Sequence, residues 1–130
     1  MIDVTCAIII QNTRILCVQR GRGRHLAGKW EFPGGKVHDG EAMEASIVRE
    51  VREELDLDIE VREKLNAVTY EYPDKTVRLV PFICRITGGK LRLHEHQAHQ
   101  WLDPADLDRL DWCDADRPII QELQRARLNR

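Results

Sequence analysis

Residues 50–54, Glu-Val-Arg-Glu-Glu, hold the groups whose chemistry is most readily argued from residue type and spacing. Each helical residue turns by 100°, so Glu50, Glu53 and Glu54 fall within one arc of a helix surface. Ala45, Val48, Val51 and Leu55 cluster on the other side and are expected to face a core. Three carboxylates on neighbouring turns repel one another, and a cation removes that cost. Hard oxygen ligands of this kind suit Mg²⁺, or Mn²⁺, which bind through a few carboxylates together with substrate phosphates. Taken alone, the three glutamates favour an ordinary solvated face with ion pairs.

The surrounding pattern changes that balance. Gly35 is followed after five residues by Glu41, and after seven more by Arg49-Glu50-Val51, then Glu53-Glu54 and finally Leu57. This resembles the Nudix box. With each residue type at roughly 5–7% usage, the six non-aliphatic matches coincide by chance about once in tens of millions of starts. One position departs: the family has glycine where this chain has Asp56. Glycine just past a helix end usually serves a left-handed cap, and Asp tolerates that conformation better than most side chains. Asp56 is therefore read as a tolerated cap that removes no ligand.

The resemblance spans nearly the entire chain and implies an α/β fold, an α/β/α sandwich around a mixed β-sheet, as one domain over residues 1–130. It implies hydrolysis of a nucleoside diphosphate linked to another moiety, with Mg²⁺ as cofactor and Mn²⁺ as a possible substitute. Glu50, Glu53 and Glu54 become the expected metal ligands. Arg49 is expected to pair with a box glutamate and orient it. Gly35 and Glu41 are expected to be structural, Glu41 projecting about half a turn away from Glu50.

The wording Trp30-Glu31-Phe32-Pro33-Gly34-Gly35-Lys36 is similar to MutT-type members of the family. It places Gly34 at the metal and Glu31 and Lys36 at the substrate, Lys36 as a point charge for phosphate. Arg20 matches an arginine that contacts the nucleotide. Glu95, shortly before Trp101, matches a metal-binding or base residue, and either Glu50 or Glu95 serves as general base. Three histidines, His94, His96 and His99, invite a zinc reading, but no ligand spacing supports one, and a polar loop is the better reading.

Asp116 stands two residues before Pro118, where MutT has a base-recognising asparagine. An ionised aspartate only accepts hydrogen bonds and suits the exocyclic amine of cytosine, whereas a protonated one donates to a purine carbonyl. Asp116 also reads as a helix-start residue favoured by the helix dipole. The wording His94–Ala98 and Asp111–Pro118 is similar to the CTP pyrophosphohydrolase branch. The expected reaction is therefore conversion of a nucleoside triphosphate to a monophosphate and pyrophosphate, leaning to CTP, dCTP and modified cytosine nucleotides. The alternatives are an 8-oxo-dGTP diphosphatase and a nucleotide sensor without turnover. The intact Arg49, Glu50, Glu53 and Glu54 argue against the sensor.

Length and composition bound the rest. The 130 residues are 42% hydrophobic, enough for one core, and 32% charged with a net charge of −2. No basic surface points to a nucleic-acid polymer or membrane partner; the resemblance implies a small nucleoside triphosphate as the partner of a monomer or homodimer. No apolar run has transmembrane length and no basic stretch precedes the first apolar one, which suggests a cytoplasmic protein. Cys6, Cys17, Cys84 and Cys113 form no CxxC pair and are expected as buried free thiols.

Alternation predicts a strand over Ile2–Ile10 with one strongly apolar face, a hairpin partner over Arg14–Arg20, and strands at Leu57–Val61 and Val68–Tyr72. Another spans Thr76–Thr87, with Pro81 at an edge, a bulge or a non-bonded position, before Gly88-Gly89 turns the chain into Lys90–Leu93. Asp39 is expected to cap the box helix, Asp103-Pro104 to open a short helix, and Asp114 to cap the last one, whose apolar side is Ile119, Ile120, Leu123 and Leu128. Tyr70 and Tyr72 read first as sheet-face residues, and only second as platforms for a base.

Overall fold

Asn12 and Thr13 both take positive φ, 52° and 65°, and turn the first strand directly into the second. In this computed structural model, which describes residues 1–128, they join β1 (Ile2–Gln11) to β2 (Arg14–Arg20). The other strands are β3 (Trp30–Glu31), β4 (Gly34–Lys36), β5 (Leu57–Lys64), β6 (Val68–Tyr72), β7 (Lys75–Gly89) and β8 (His96–Leu102). Helices α1 (Met43–Leu55) and α2 (Arg117–Leu128) complete the fold, with 3-10 turns at Pro104–Arg109 and Asp114–Asp116.

The sheet is mixed. β1 runs parallel to β7 and antiparallel to β2 at one end and to β4 at the other. β2 also pairs with β3 and β8, and β7 with β5 and β6. β1 has two apolar faces rather than the single one expected. Cys6 and Ile8 join Ile119 and Ile120 of α2, while Ala7 and Ile9 join Ile47, Val51 and Leu55 of α1. A strand with a helix on each side buries both sets of alternating residues. That is the expected α/β/α layering.

Pro81 lies in a central strand, opposite Cys6 of the parallel partner β1. On the other edge of β7, β5 pairs as far as Phe82 and β6 begins at Leu79. Pro81 sits where one partner hands over to the next, so its missing N–H breaks no ladder, and its carbonyl accepts from Leu65 N–H at 2.9 Å. β7 continues through Gly88 and Gly89, which pair with Asp58 and Leu57 instead of turning the chain. Residues 90–95 then run irregularly, and Arg92 N–H and His94 N–H bond the carbonyls of Leu55 and Glu54. These bonds satisfy acceptors that the end of α1 leaves open.

Two capping expectations, at Asp39 and Asp114, are corrected, and a third is met in part. Asp39 lies in the turn before α1, whose N-cap is Ala42 with no side-chain bond. Asp103-Pro104 does open a short 3-10 helix, with Asp103 at its N-cap and the proline in its first turn, but the Asp103 side chain makes no capping bond. Asp114 lies within the turn before α2, and its carboxylate accepts from Tyr70 Oη and Arg117 Nε. Asp56 does take the left-handed conformation, φ 57°, with its N–H on Arg52 O at 3.1 Å. The four cysteines are buried and free. The Leu128 side chain falls outside the described residues. Among those residues no helix is long and apolar enough to cross a membrane.

Candidate active site

The face that α1 buries decides where the carboxylates go. Ile47, Val51 and Leu55 are fully buried, whereas Ala45 and Val48, expected in the core, are exposed. The packing face is centred between Ile47, Val51 and Glu54, so Glu54 is buried to 3% exposure rather than lying on a solvent-facing arc. Ser46 on the same side meets Thr5 of β1 hydroxyl to hydroxyl at 3.1 Å. The glutamate arc is thus split: Glu53 is exposed, Glu50 half-buried and Glu54 deep.

Arg49 collects the outer glutamates. Its Nε and Nη2 donate to the two oxygens of Glu41 at 2.7 and 3.0 Å, and its Nη1 donates to Glu50 at 2.9 Å and Glu53 at 3.2 Å. Nη2 also donates to the Lys36 carbonyl at 3.1 Å, so Lys36, an exposed residue, joins the cluster through its backbone. Paired to Arg49, and accepting His38 N–H, the Glu41 carboxyl is held down to about 2. The Glu50 carboxyl rests on Gly35: a Cβ there would lie 2.5–2.7 Å from its atoms. A methyl group there would force the Glu50 carboxyl to move, and glycine leaves it in place.

The inner carboxylates form a second group. Glu54 accepts Gly34 N–H at 3.1 Å through one oxygen, and its other oxygen lies 3.7 Å from His96 Nε2. The same nitrogen is 2.8 Å from Glu31 Oε2, while Glu31 Oε1 accepts Arg20 Nη1 at 2.9 Å. Burial, then the charges of Glu31, Glu95 and Glu50, push the Glu54 carboxyl up to about 9. His96 is not part of a polar loop: it opens β8 and is buried. Reading residues 94–99 as a loop hid it, and the apolar alternation that marks the other strands is absent here. Glu95 itself is exposed, 3.4 Å from Arg24.

Beyond Glu31 the site opens into a cavity of about 180 Å³. Arg20, Glu31, Gly34, Tyr72, Cys113 and Asp116 are among the residues that line it. Asp116 is buried and accepts Phe32 N–H at 3.3 Å. Its carboxyl is pushed well above the usual carboxylate range by burial and then by the charge of Glu31. It also ends the turn that leads into α2, so a helix-start position and a cavity wall coincide in one residue. Tyr72, second as a base platform on sequence grounds, is at the cavity with Lys75 Nζ 5.8 Å from its ring centre. Arg20 Nε is tied to the His25 carbonyl at 2.7 Å, which holds the 21–28 loop beside the cavity.

The family model described as "NUDIX domain" matches residues 1–123. The chain belongs to the Nudix family. It is 35% identical to CTP pyrophosphohydrolase of Escherichia coli K12 over 130 residues, covering all of this chain and 96% of that one. It is 31% identical to 8-oxo-dGTP diphosphatase of the same organism over 115 residues, 88% of this chain and 89% of that one. The solution structure of the E. coli ORF135 protein superposes with a TM-score of 0.87 at 34% identity, covering all of this chain and 93% of its own. The protein is a Nudix hydrolase.

Nudix hydrolases generally use divalent metal ions. Among the described residues no three His, Cys, Asp or Glu side chains converge tightly enough to hold an ion as they stand. Arg49, Arg24 and His96 hold the carboxylates in ion pairs and hydrogen bonds. The donor set nevertheless fits a hard divalent cation, since it is all oxygen, from carboxylates and the Gly34 carbonyl, and Gly35 leaves the Glu50 carboxyl room beside the turn.

Proposed function

We propose that this Nudix hydrolase is a Mg²⁺-dependent nucleoside triphosphate pyrophosphohydrolase, converting a triphosphate and water to a monophosphate and pyrophosphate, with cytosine nucleotides preferred. The observation that carries the reading is the continuity of the site. The carboxylates of α1 lead through Glu31 and Arg20 to a cavity that Asp116 also lines. Triphosphate and base then occupy neighbouring parts of one cleft.

Glu50, Glu53, Glu54 and Glu95 would hold the metal together with the Gly34 carbonyl. When bound, the ion supplies polarisation of phosphate oxygens and acidification of the attacking water. Arg49 holds Glu50 and Glu53 in register, and Glu50 or Glu95 takes the water proton. Lys36 faces the phosphates as a point charge. In the cavity Asp116 accepts from the cytosine amine, Arg20 is oriented by Glu31, and Tyr72 offers a ring face. The similarity to a CTP pyrophosphohydrolase supports this substrate class.

A second reading rests on the raised Asp116 carboxyl, which favours the protonated form. That form donates to a purine carbonyl, and the relative named 8-oxo-dGTP diphosphatase accords with it. Pyrophosphate release with Mg²⁺ from CTP, dCTP, 5-methyl-dCTP, 8-oxo-dGTP and the standard triphosphates separates the two. Selective release from cytosine nucleotides is expected, lost in Glu53→Gln and shifted towards 8-oxo-dGTP in Asp116→Asn. Preference of the wild type for 8-oxo-dGTP overturns the substrate choice, and no release from any triphosphate overturns the reaction.

A further inference from the structure

The sheet contains an irregularity beside the site. Along β2 and β8 the register runs Val18 opposite His99 and Gln19 opposite Ala98, then jumps so that Arg20 faces His96 rather than Gln97. A bulge of this kind re-aims a side chain, and bulges gather next to active sites. Here it brings His96 opposite Arg20 and into the interior, where its side chain is 3% exposed.

The surroundings of that ring are specific. Nε2 stands between Glu31 Oε2 at 2.8 Å and Glu54 Oε2 at 3.7 Å, and Nδ1 is buried without a hydrogen-bond partner. Glu31 is anchored on its other oxygen by Arg20 in the cavity, and Glu54 on its other oxygen by Gly34 N–H in the glycine turn. An imidazole with one nitrogen unsatisfied is an expensive way to fill space, so packing alone does not account for it. Without Nε2 the Glu31 and Glu54 carboxyls would face each other with nothing between them.

We infer that His96 is a positioning residue: it fixes Glu31 and Glu54 relative to each other, and so fastens the nucleotide cavity to the metal-binding end of α1. This rests on the assignment of Glu54 as a metal ligand made in the proposed function. Groups that orient metal ligands in this way typically cost about 10–100-fold in metal affinity or activity when removed.

Titration of the full chain with Mn²⁺ in the absence of nucleotide tests it, with folding checked by circular dichroism. His96→Ala is expected to weaken Mn²⁺ binding about tenfold, and His96→Gln, whose amide can reach the place of Nε2, to restore most of it. His96→Asn, whose amide stops short of Glu31, is expected to behave like His96→Ala and decides the matter should His96→Ala not fold. In the pyrophosphate assay the loss is expected in kcat, with the KM of the nucleotide moving less. Unchanged Mn²⁺ affinity in the shortened variants overturns the inference, as does a His96→Gln variant as weak as His96→Ala, or a wild-type chain that binds no Mn²⁺. A wild-type chain that binds Mn²⁺ but releases no pyrophosphate overturns the proposed reaction instead, and the Mn²⁺ comparison still decides His96.

Discussion

Glu54 holds a carboxyl in a place where carboxylates are costly. Burial and the neighbouring Glu31, Glu95 and Glu50 raise it from the ordinary 4.5 to about 9, so the folded chain keeps a proton that the unfolded chain has lost. The stabilising contribution of such a group is fully present below about 4.5 and disappears as pH rises through about 9. Glu54→Gln mimics the protonated form. In EDTA at pH 8.5 this variant is expected to melt about 3–5 °C above the wild type, corresponding to roughly 1 kcal/mol for a chain of this size, while its affinity for Mn²⁺ collapses. Thermal melts at that pH check it, and a variant melting below the wild type would show that Glu54 is stabilised as an anion by something other than a metal.

The helix and the turn before it are matched to each other. Gly35→Ala puts a methyl group into the Glu50 carboxyl, so activity is expected to fall at least about tenfold with the fold retained, as expected when the group beside a ligand is displaced. Retained activity would mean that Glu50 can move aside at no cost. The buried face of α1 gives a cleaner contrast. Ile47→Ala removes a fully buried side chain and is expected to cost about 2–5 kcal/mol, whereas Val48→Ala, at a position 37% exposed, is expected to stay within about 0.5 kcal/mol. Urea unfolding of both measures the difference, and a larger cost for Val48→Ala than for Ile47→Ala would place the packing face where the sequence pattern put it. At the helix end, Asp56 holds the left-handed cap and its carboxylate lies 2.9 Å from His94 Nε2. Asp56→Gly relieves the backbone but removes an exposed pair, so the net change is expected to be within about 1 kcal/mol.

At the scale of the whole molecule, the separate groups meet around one cavity, and a divalent cation bound as proposed would become part of the chain's stability. Binding to the folded chain alone raises the melting temperature by mass action. The Mg²⁺-induced rise is expected to grow between pH 6 and 9, because the proton on Glu54 competes with the ion less as pH increases. Melts with Mg²⁺ and with EDTA across that range test it, and a rise independent of pH would remove Glu54 from the ligand set. The Nudix box, the glycine turn and the left-handed Asp56 were legible in the order of residues, because glycine constraints, charge spacing and helical periodicity act over a few turns of chain. The two-sided layering followed only from the family resemblance, since the alternation in β1 read as one apolar face. The burial of Ile47 in place of Val48 was not, since an amphipathic helix with charged residues on several sides has more than one plausible inner face until a sheet selects one. Nor was His96, whose depth is set by a register jump between strands nearly eighty residues apart, or the cavity of Arg20, Glu31, Tyr72 and Asp116, whose members meet only when β2, β3, β6 and the segment before α2 are packed together. Local residue chemistry thus named the carboxylates and glycines proposed for the site, while long-range pairing and packing added His96 and settled how deeply each group lies and which of its neighbours it faces.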